Sequence, residues 1–409
     1  MNKEVFSLVI RNAYLGELNG ICDIGISGEK IIKISSKIVE NGEKEIDAKQ
    51  NFVSPGFIDS HTHMDKSLTG EGERLPKYNE SSYVRDNSII AGLEYYKNAT
   101  IEEIKSQVIR HAYMQVANGT LYTRTHVDVD KIARTKAIKG VISAREELKD
   151  LIDIQIVAFA QSGFLPDPDS EPLVREAIDM GADIVGSLDP ATCEYNIEKS
   201  LDLLFKIAKD YNVDIDDHVM DPGTLGIYSL KRFAQKTLEN NYKRRVTASH
   251  SFSLADAPES WLDEAIPTFQ ESGLNFVTCY SSSPHTFPTK KLFKAGIPLG
   301  CGSDNIRDFW IAFGNGDMVQ GALIETQRWD LTTNLDMDLI WKMITFEGAK
   351  VLGIEKDYGI QEGKTANLVI LDALSPQWAI IQQAKKLYVI KNGKVIVKDG
   401  VILPEFKKY

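Results

Sequence analysis

Short apolar segments recur through the middle of this 409-residue chain, and stretches with helical periodicity follow them. They lie at 53–58, 122–126, 154–159, 183–188, 213–218, 246–249, 276–279 and 299–302. After the second, their ends fall about thirty residues apart, the size of one strand–helix unit. "SLDLLFKIAKDY", "SLKRFAQKTLEN" and "WLDEAIPTFQESG" read as intervening amphipathic helices, the last ending in a capping glycine. Eight such units in one run predict an α/β fold, the TIM (β/α)8 barrel. The competing architecture is a doubly wound open sheet. It would need a Gly-rich phosphate fingerprint after its first strand, which the chain lacks.

The chain ends read differently. "SLVIRNAYL", "ICDIGISGEKIIKIS" and "KEIDAKQNFVSPG" carry β-branched residues, alternation and Gly or Asn turns, and so do "ANLVILDA" and "KKLYVIKNGKVIVKDGVIL". Asn392-Gly393 is a hairpin-turn signature between apolar runs. The two ends are therefore expected to meet in a small composite β-sandwich domain, 1–54 plus 360–409, with the barrel at 55–359. Residues 64–120 form one long connection, whose segment "GERLPKYNESSYVRD" is expected to reach over the barrel mouth.

Composition narrows the function classes. A formal net charge of −11 argues against nucleic acid or an anionic membrane as partner. No stretch approaches the length of a transmembrane helix, and the first residues lack the pattern of a secretory signal. Cys22, Cys193, Cys279 and Cys301 are widely spaced, which suits thiols in a reducing compartment. A cytoplasmic enzyme is the resulting expectation.

The chain has seven histidines, and their positions are not scattered. His61 and His63 end the first predicted strand, His126 the second, His218 the fifth and His250 the sixth, while Asp304 follows the eighth. In a TIM barrel the C-terminal strand ends converge on one mouth, where active sites are built. Residues two apart on a strand face the same way, so His61 and His63 can aim at one point. His111 reads as a helical core residue. For His126 a place beneath the site and a role within it stay open. For His285 the alternatives are a plain surface loop and a ligand contact.

Three neutral imidazoles and a carboxylate suit one divalent cation, Zn²⁺ first and Fe²⁺ as the alternative. The assigned ligands are His61, His63, His218 and Asp304. Such a cation lowers the pKa of a bound water from about 16 to about 7, which makes hydroxide available for attack. Asp304 can take the water's proton, and His250 is expected to hold the water and stabilise developing charge. Displacing an amine also requires the leaving nitrogen to be protonated. Asp221, three residues past His218, is the candidate acid; the other reading makes it a carboxylate at a helix N-terminus.

"PGFIDSHTH", "RTHVDVD", "IVAFAQSG", the fifth-strand histidine, "RVTASHS" and "SDN" fall in the order of the amidohydrolase superfamily, and the chain resembles its cytosine deaminase-like branch. Within that branch the likeness is to the enzymes of s-triazine degradation, over nearly the whole chain. The resemblance implies a mononuclear site, since the fourth strand "ADIVGSLDP" has no lysine to bridge two metals. It implies that Gln161 faces the substrate ring, that Lys66 and Asp189 hydrogen-bond it, and that Phe309 and Trp310 form an apolar wall. It also suggests a homodimer or homotetramer.

Three departures stand out. Asp221 replaces the glutamate of cytosine deaminases, Asn305 replaces their second aspartate, and Met220 stands where the triazine enzymes carry a second histidine. The first two argue against cytosine as substrate. The expected reaction is displacement of an amine or alkylamine from a nitrogen-heterocyclic small molecule, favouring an N-alkyl-hydroxy-s-triazine. The alternative is an aminohydrolase of a pyrimidine-like or other cyclic amidine. A non-catalytic assembly protein that has lost its metal is disfavoured, because all four ligands and His250 are present.

Overall fold

The computed structural model describes residues 5–17, 19–71, 85–284 and 286–407, with 85–87 described in backbone alone. Residues 72–84, most of the segment expected over the barrel mouth, lie outside the described residues, as does His285.

Among the described residues, eight strands form one parallel sheet in sequence order: β1 (Phe57–Thr62), β2 (Thr120–Asp128), β3 (Asp153–Phe159), β4 (Ile184–Gly186), β5 (Asp214–Val219), β6 (Val246–His250), β7 (Asn275–Cys279) and β8 (Leu299–Gly302). The sheet closes where Thr62 bridges Asp304 in parallel. There the Asp304 amide donates to the His61 carbonyl at 2.8 Å, and the His63 amide donates to the Asp304 carbonyl at 3.3 Å. Asp59 clamps the same seam. It accepts from the Ser303 amide at 2.9 Å, the Ser303 hydroxyl at 2.5 Å and Gln115 of the helix Ile101–Ala117 at 2.8 Å. Burial pushes this carboxyl up to about 6, against the pull of these donors.

β2 is buried at all nine positions, as expected for a parallel strand covered on both faces. Its inward residues are polar, because one end of the barrel interior is a polar plug. Arg124 donates to the Val351 carbonyl at 3.0 Å and Gln155 to the Leu352 carbonyl at 2.9 Å, so the helix Phe346–Leu352 is tied under the barrel. The expected amphipathic helices are present as Ile197–Tyr211, Gly223–Glu239 and Glu259–Ser272, the last stopped by Gly273 at φ 64°.

One strand expectation needs correction. The segment 53–58 is not a single barrel strand: Val53–Pro55 pairs antiparallel with Leu368–Leu371 in an end sheet, and the barrel strand begins at Phe57. The rest of that end sheet is Lys386–Lys391, Lys394–Lys398 and Val401–Ile402. A second sheet orders Lys30–Ser35, Ile21–Ser27, Phe6–Tyr14 and Gly42–Asp47. Leu8, Ile10, Ile24 and Ile26 of one sheet share a hydrophobic cluster with Leu368, Ile370 and Ile390 of the other. The hairpin turn has Asn392 at φ 51° and Gly393 at φ 73°, and a Cβ on Gly393 would lie 2.1 Å from the Gly28 carbonyl oxygen. Only glycine fits there, and that fit lets the two ends of the chain touch.

Candidate active site

His61, His63, His218 and Asp304 converge at the C-terminal mouth of the barrel. His63 Nε2 lies 3.4 Å from His218 Nε2, and Asp304 Oδ1 lies 3.6 Å from His63 Nε2 and 3.8 Å from His61 Nε2. Ligands about 2.0–2.1 Å from a tetrahedral cation are separated by about 3.3 Å, so this spacing suits one ion. The site also has polar atoms that the protein itself leaves unsatisfied. His61 Nε2, His218 Nδ1, His250 Nδ1 and both ring nitrogens of His126 are buried with no hydrogen-bond partner among the described residues. Buried polar atoms are normally paired, so this cluster fits a group that accepts lone pairs.

A bulge aims the first two histidines. Asp59 pairs with Thr123 and Thr62 with Thr125, so three steps on β1 match two on β2. Asp59 faces the outer helix through Gln115, while His61, two residues on, contacts Ser249 of β6. Simple alternation would put Asp59 and His61 on one side; the extra residue turns the histidine inward. His63 is fixed by its Nδ1 contact to the His126 carbonyl oxygen at 3.1 Å.

Burial holds His61, His63, His126 and His218 well below the ordinary histidine range, and neighbouring positive charge adds to the effect. His250 is lowered by burial, with Asp304 opposing. Neutral imidazoles are the form that binds metal. Asp189, His250 and Asp304 sit at φ 44°, 67° and 61°, in the left-handed region sparsely used by non-glycine residues. Such backbone is held at a cost by its surroundings and clusters at functional sites.

The structure adds members that sequence reasoning missed. Ser282 donates to Asp304 Oδ2 at 2.8 Å, which leaves Oδ1 toward the histidines. Cys279 joins His61, His250 and Asp304 in one cluster of ligand atoms within 4.8 Å, and burial pushes its thiol up. His126 stacks on His61 with ring centroids 4.0 Å apart, which places it beside the cluster. His111 is the core residue expected, buried with Nδ1 2.8 Å from Ser67 Oγ.

The residues expected to meet substrate divide into two groups. Gln161, Phe309 and Trp310 line one cavity together with Tyr96 and Asp128. Lys66 is buried beside it, with Nζ 2.5 Å from Asp128 Oδ1. Burial raises Asp128 to about 7 against the pull of Lys66. Burial also works against the Lys66 ammonium, but Asp128 and Asp65 outweigh it and hold Lys66 above its usual range. The sequence signal for Asp128 was its place two residues past His126, on the same strand face. Asp189 accepts instead from the Met220 amide at 2.6 Å. Asp221 accepts from the Ala191 and Thr192 amides at 3.1 and 2.9 Å, and from the Thr192 and Ser229 hydroxyls at 2.8 Å each. Asn305 donates to Asp308 at 2.6 Å.

Comparison with known proteins gives the family of the chain. A sequence profile of the amidohydrolase family matches residues 44–397. The chain belongs to the amidohydrolase family. This amidohydrolase is 66% identical over 403 residues to N-isopropylammelide isopropyl amidohydrolase of Pseudomonas sp. (strain ADP), covering 98% of this chain and 100% of the relative. Among solved structures it resembles N-isopropylammelide isopropylaminohydrolase from Burkholderia multivorans ATCC 17616, with TM-score 0.90, 29% identity and coverage of 98% and 100%. It also resembles 5-methylcytosine deaminase from Klebsiella pneumoniae, with TM-score 0.87, 28% identity and coverage of 97% and 98%. The amidohydrolase is thus a hydrolase of carbon–nitrogen bonds in a metal-dependent family, and its His/Asp cluster fits a metal site. No described helix is long and apolar enough to cross a membrane.

Proposed function

We propose that this amidohydrolase hydrolyses an exocyclic amine or alkylamine from a nitrogen-heterocyclic ring, with a hydroxylated N-alkyl-s-triazine such as N-isopropylammelide as first substrate. The observation that carries the reading is the 66% identity, over nearly the full length of both chains, to an enzyme named for that reaction. The likeness to 5-methylcytosine deaminase supports a second reading, release of ammonia from a pyrimidine-like ring.

His61, His63 and His218 would hold a divalent cation with Asp304, Zn²⁺ first and Fe²⁺ as the alternative. When bound, the cation supplies an acidified water at neutral pH. Asp304 would take a proton at its carboxylate, steadied by Ser282 on the other oxygen. His250 would help position the attacking oxygen beside Asp304, its ring 4.8 Å from His61 and 4.9 Å from His218. The ring carbon gains a C–O bond and loses its C–N bond, and the proton taken up by Asp304 passes to the leaving nitrogen, so that the amine departs neutral. Lys66 and Gln161 donate to ring oxygen and nitrogen, and Trp310 with Phe309 covers an apolar face. Asp189 sits against the end of β5, its amide donating to the His218 carbonyl at 2.8 Å and its carboxylate accepting from the Met220 amide at 2.6 Å. For Asp221 the surroundings favour an anchoring role over the expected proton shuttle, because loop and helix donors occupy both its oxygens.

The division into 1–54 plus 360–409 and 55–359 belongs to the same proposal, supported by the separate hydrophobic cluster of the end sheets. So do a homo-oligomeric state and a reducing, cytoplasmic compartment, the latter supported by four cysteines that stand as thiols. The test is a turnover screen of metal-characterised protein. Isopropylamine is expected from N-isopropylammelide, at a rate well above ammonia release from cytosine-like rings. The reverse order would establish the pyrimidine reading instead.

A further inference from the structure

We propose that Ser249, backed by Asp216 and Arg124, is a positioning residue that fixes the tautomer of His61 and so turns its Nε2 lone pair toward the cation site. The inference rests on reading that site as a metal centre, and it follows from counting donors and acceptors. His61 Nδ1 lies 2.9 Å from Ser249 Oγ, which lies 2.6 Å from Asp216 Oδ1. A hydroxyl has one hydrogen, and an ionised carboxylate can only accept. The serine hydrogen therefore goes to Asp216, and a lone pair of Ser249 faces His61. That contact is favourable when Nδ1 carries the imidazole hydrogen. A neutral ring then has none left for Nε2, the atom that stands without a hydrogen-bond partner among the described residues, 3.8 Å from Asp304.

The relay needs Asp216 charged, and the barrel interior arranges this. Arg124 Nη1 is 2.7 Å from Asp216 Oδ2, with both side chains buried. The rest of the guanidinium is held by Gln155 Oε1 at 3.0 and 2.9 Å and by the Val351 carbonyl at 3.0 Å. A neutral Asp216 would leave a buried guanidinium without its counter-charge, a costly state. The strands supply the alignment: Asp216 pairs with Thr247 and His218 with Ser249 across β5 and β6. His63 needs no such relay, since a backbone carbonyl, an acceptor only, sets its tautomer.

The test uses full-length Ser249→Ala, Asp216→Asn and the double variant, each checked for folding by circular dichroism. Zn²⁺ affinity is measured by chelator competition. Ser249→Ala should weaken binding by about 10–100-fold, the usual range for an outer partner of a ligand. Asp216→Asn should weaken it further. The asparagine amide would donate to Ser249 Oγ, turn the hydroxyl onto His61 Nδ1 and force the ring hydrogen onto Nε2. The double variant should then bind more tightly than Asp216→Asn alone. An Asp216→Asn protein with unaltered affinity, or a double variant no better than it, overturns the proposal. Should Asp216→Asn fail to fold, ¹⁵N-histidine NMR of metal-free wild-type protein decides. A hydrogen on His61 Nδ1 supports the relay, and a hydrogen on Nε2 overturns it. Wild-type protein with no Zn²⁺ affinity would overturn the metal reading itself, a failure separate from that of the tautomer.

Discussion

Asp221 lies three residues past His218, near enough in sequence for proton transfer, yet Ala191, Thr192 and Ser229 saturate its oxygens. An anchor and a shuttle respond differently to Asp221→Asn. As an anchor, the variant places an amide group against several donors and should lose about 1–3 kcal/mol of stability, with the shape of the kcat pH profile unchanged. As a shuttle, it should keep its melting temperature and lose roughly 10²–10⁴-fold in kcat. We expect the first outcome by thermal unfolding and turnover. His61, His63, His218, His250 and Asp304 stood out in the sequence because the four histidines end predicted strands, Asp304 follows one, and few residue types bind metal. Ser249 and Ser282 were not legible. Serine is common filler at strand ends and loops, and only contact distances of 2.9 Å to His61 and 2.8 Å to Asp304 single them out.

Strand β1 carries most of the site's precision. Its bulge turns His61 inward, and its seam with β8 fixes the spacing between the histidines and Asp304. Gly302 makes that seam possible: an added Cβ would lie 2.5 Å from the His61 carbonyl oxygen and 2.6 Å from His61 Cβ. Gly302→Ala should push β1 from β8, destabilise the fold by about 1–3 kcal/mol as overpacking does, and weaken cation affinity in parallel. Unfolding in denaturant and chelator competition measure the two effects. Normal cation affinity in a destabilised variant would show that the seam does not set the site. Periodicity marked the strands well, but it ran 53–58 together as one. It reports burial, and both sheets that share this segment bury it.

At the scale of the molecule, the late helices are wired into the mouth. Glu325 of the helix Met318–Arg328 accepts from Ser283 at 2.7 and 2.8 Å, next to the serine that holds Asp304. Burial raises Glu325 to about 7. Its folded pKa exceeds its unfolded one, so its contribution to stability is full below about pH 4.5 and is lost as pH rises through about 7. Glu325→Gln has no proton to lose. Its stability relative to wild type should therefore improve from pH 5 to pH 8, by on the order of 3 kcal/mol at most. Melting temperatures at the two pH values check this, and a constant difference would remove the buried ionisation as its cause. The sequence by itself determined the repeating unit, the β-rich character of both chain ends, the Asn392-Gly393 turn, and which side chains could bind a cation. Those follow from local periodicity, turn chemistry and residue type. Tertiary structure alone decided the bulge, the seam, the donors around Asp221 and the serine contacts. Each depends on distances between residues far apart in the chain, where a shift of one residue or one ångström changes the partner.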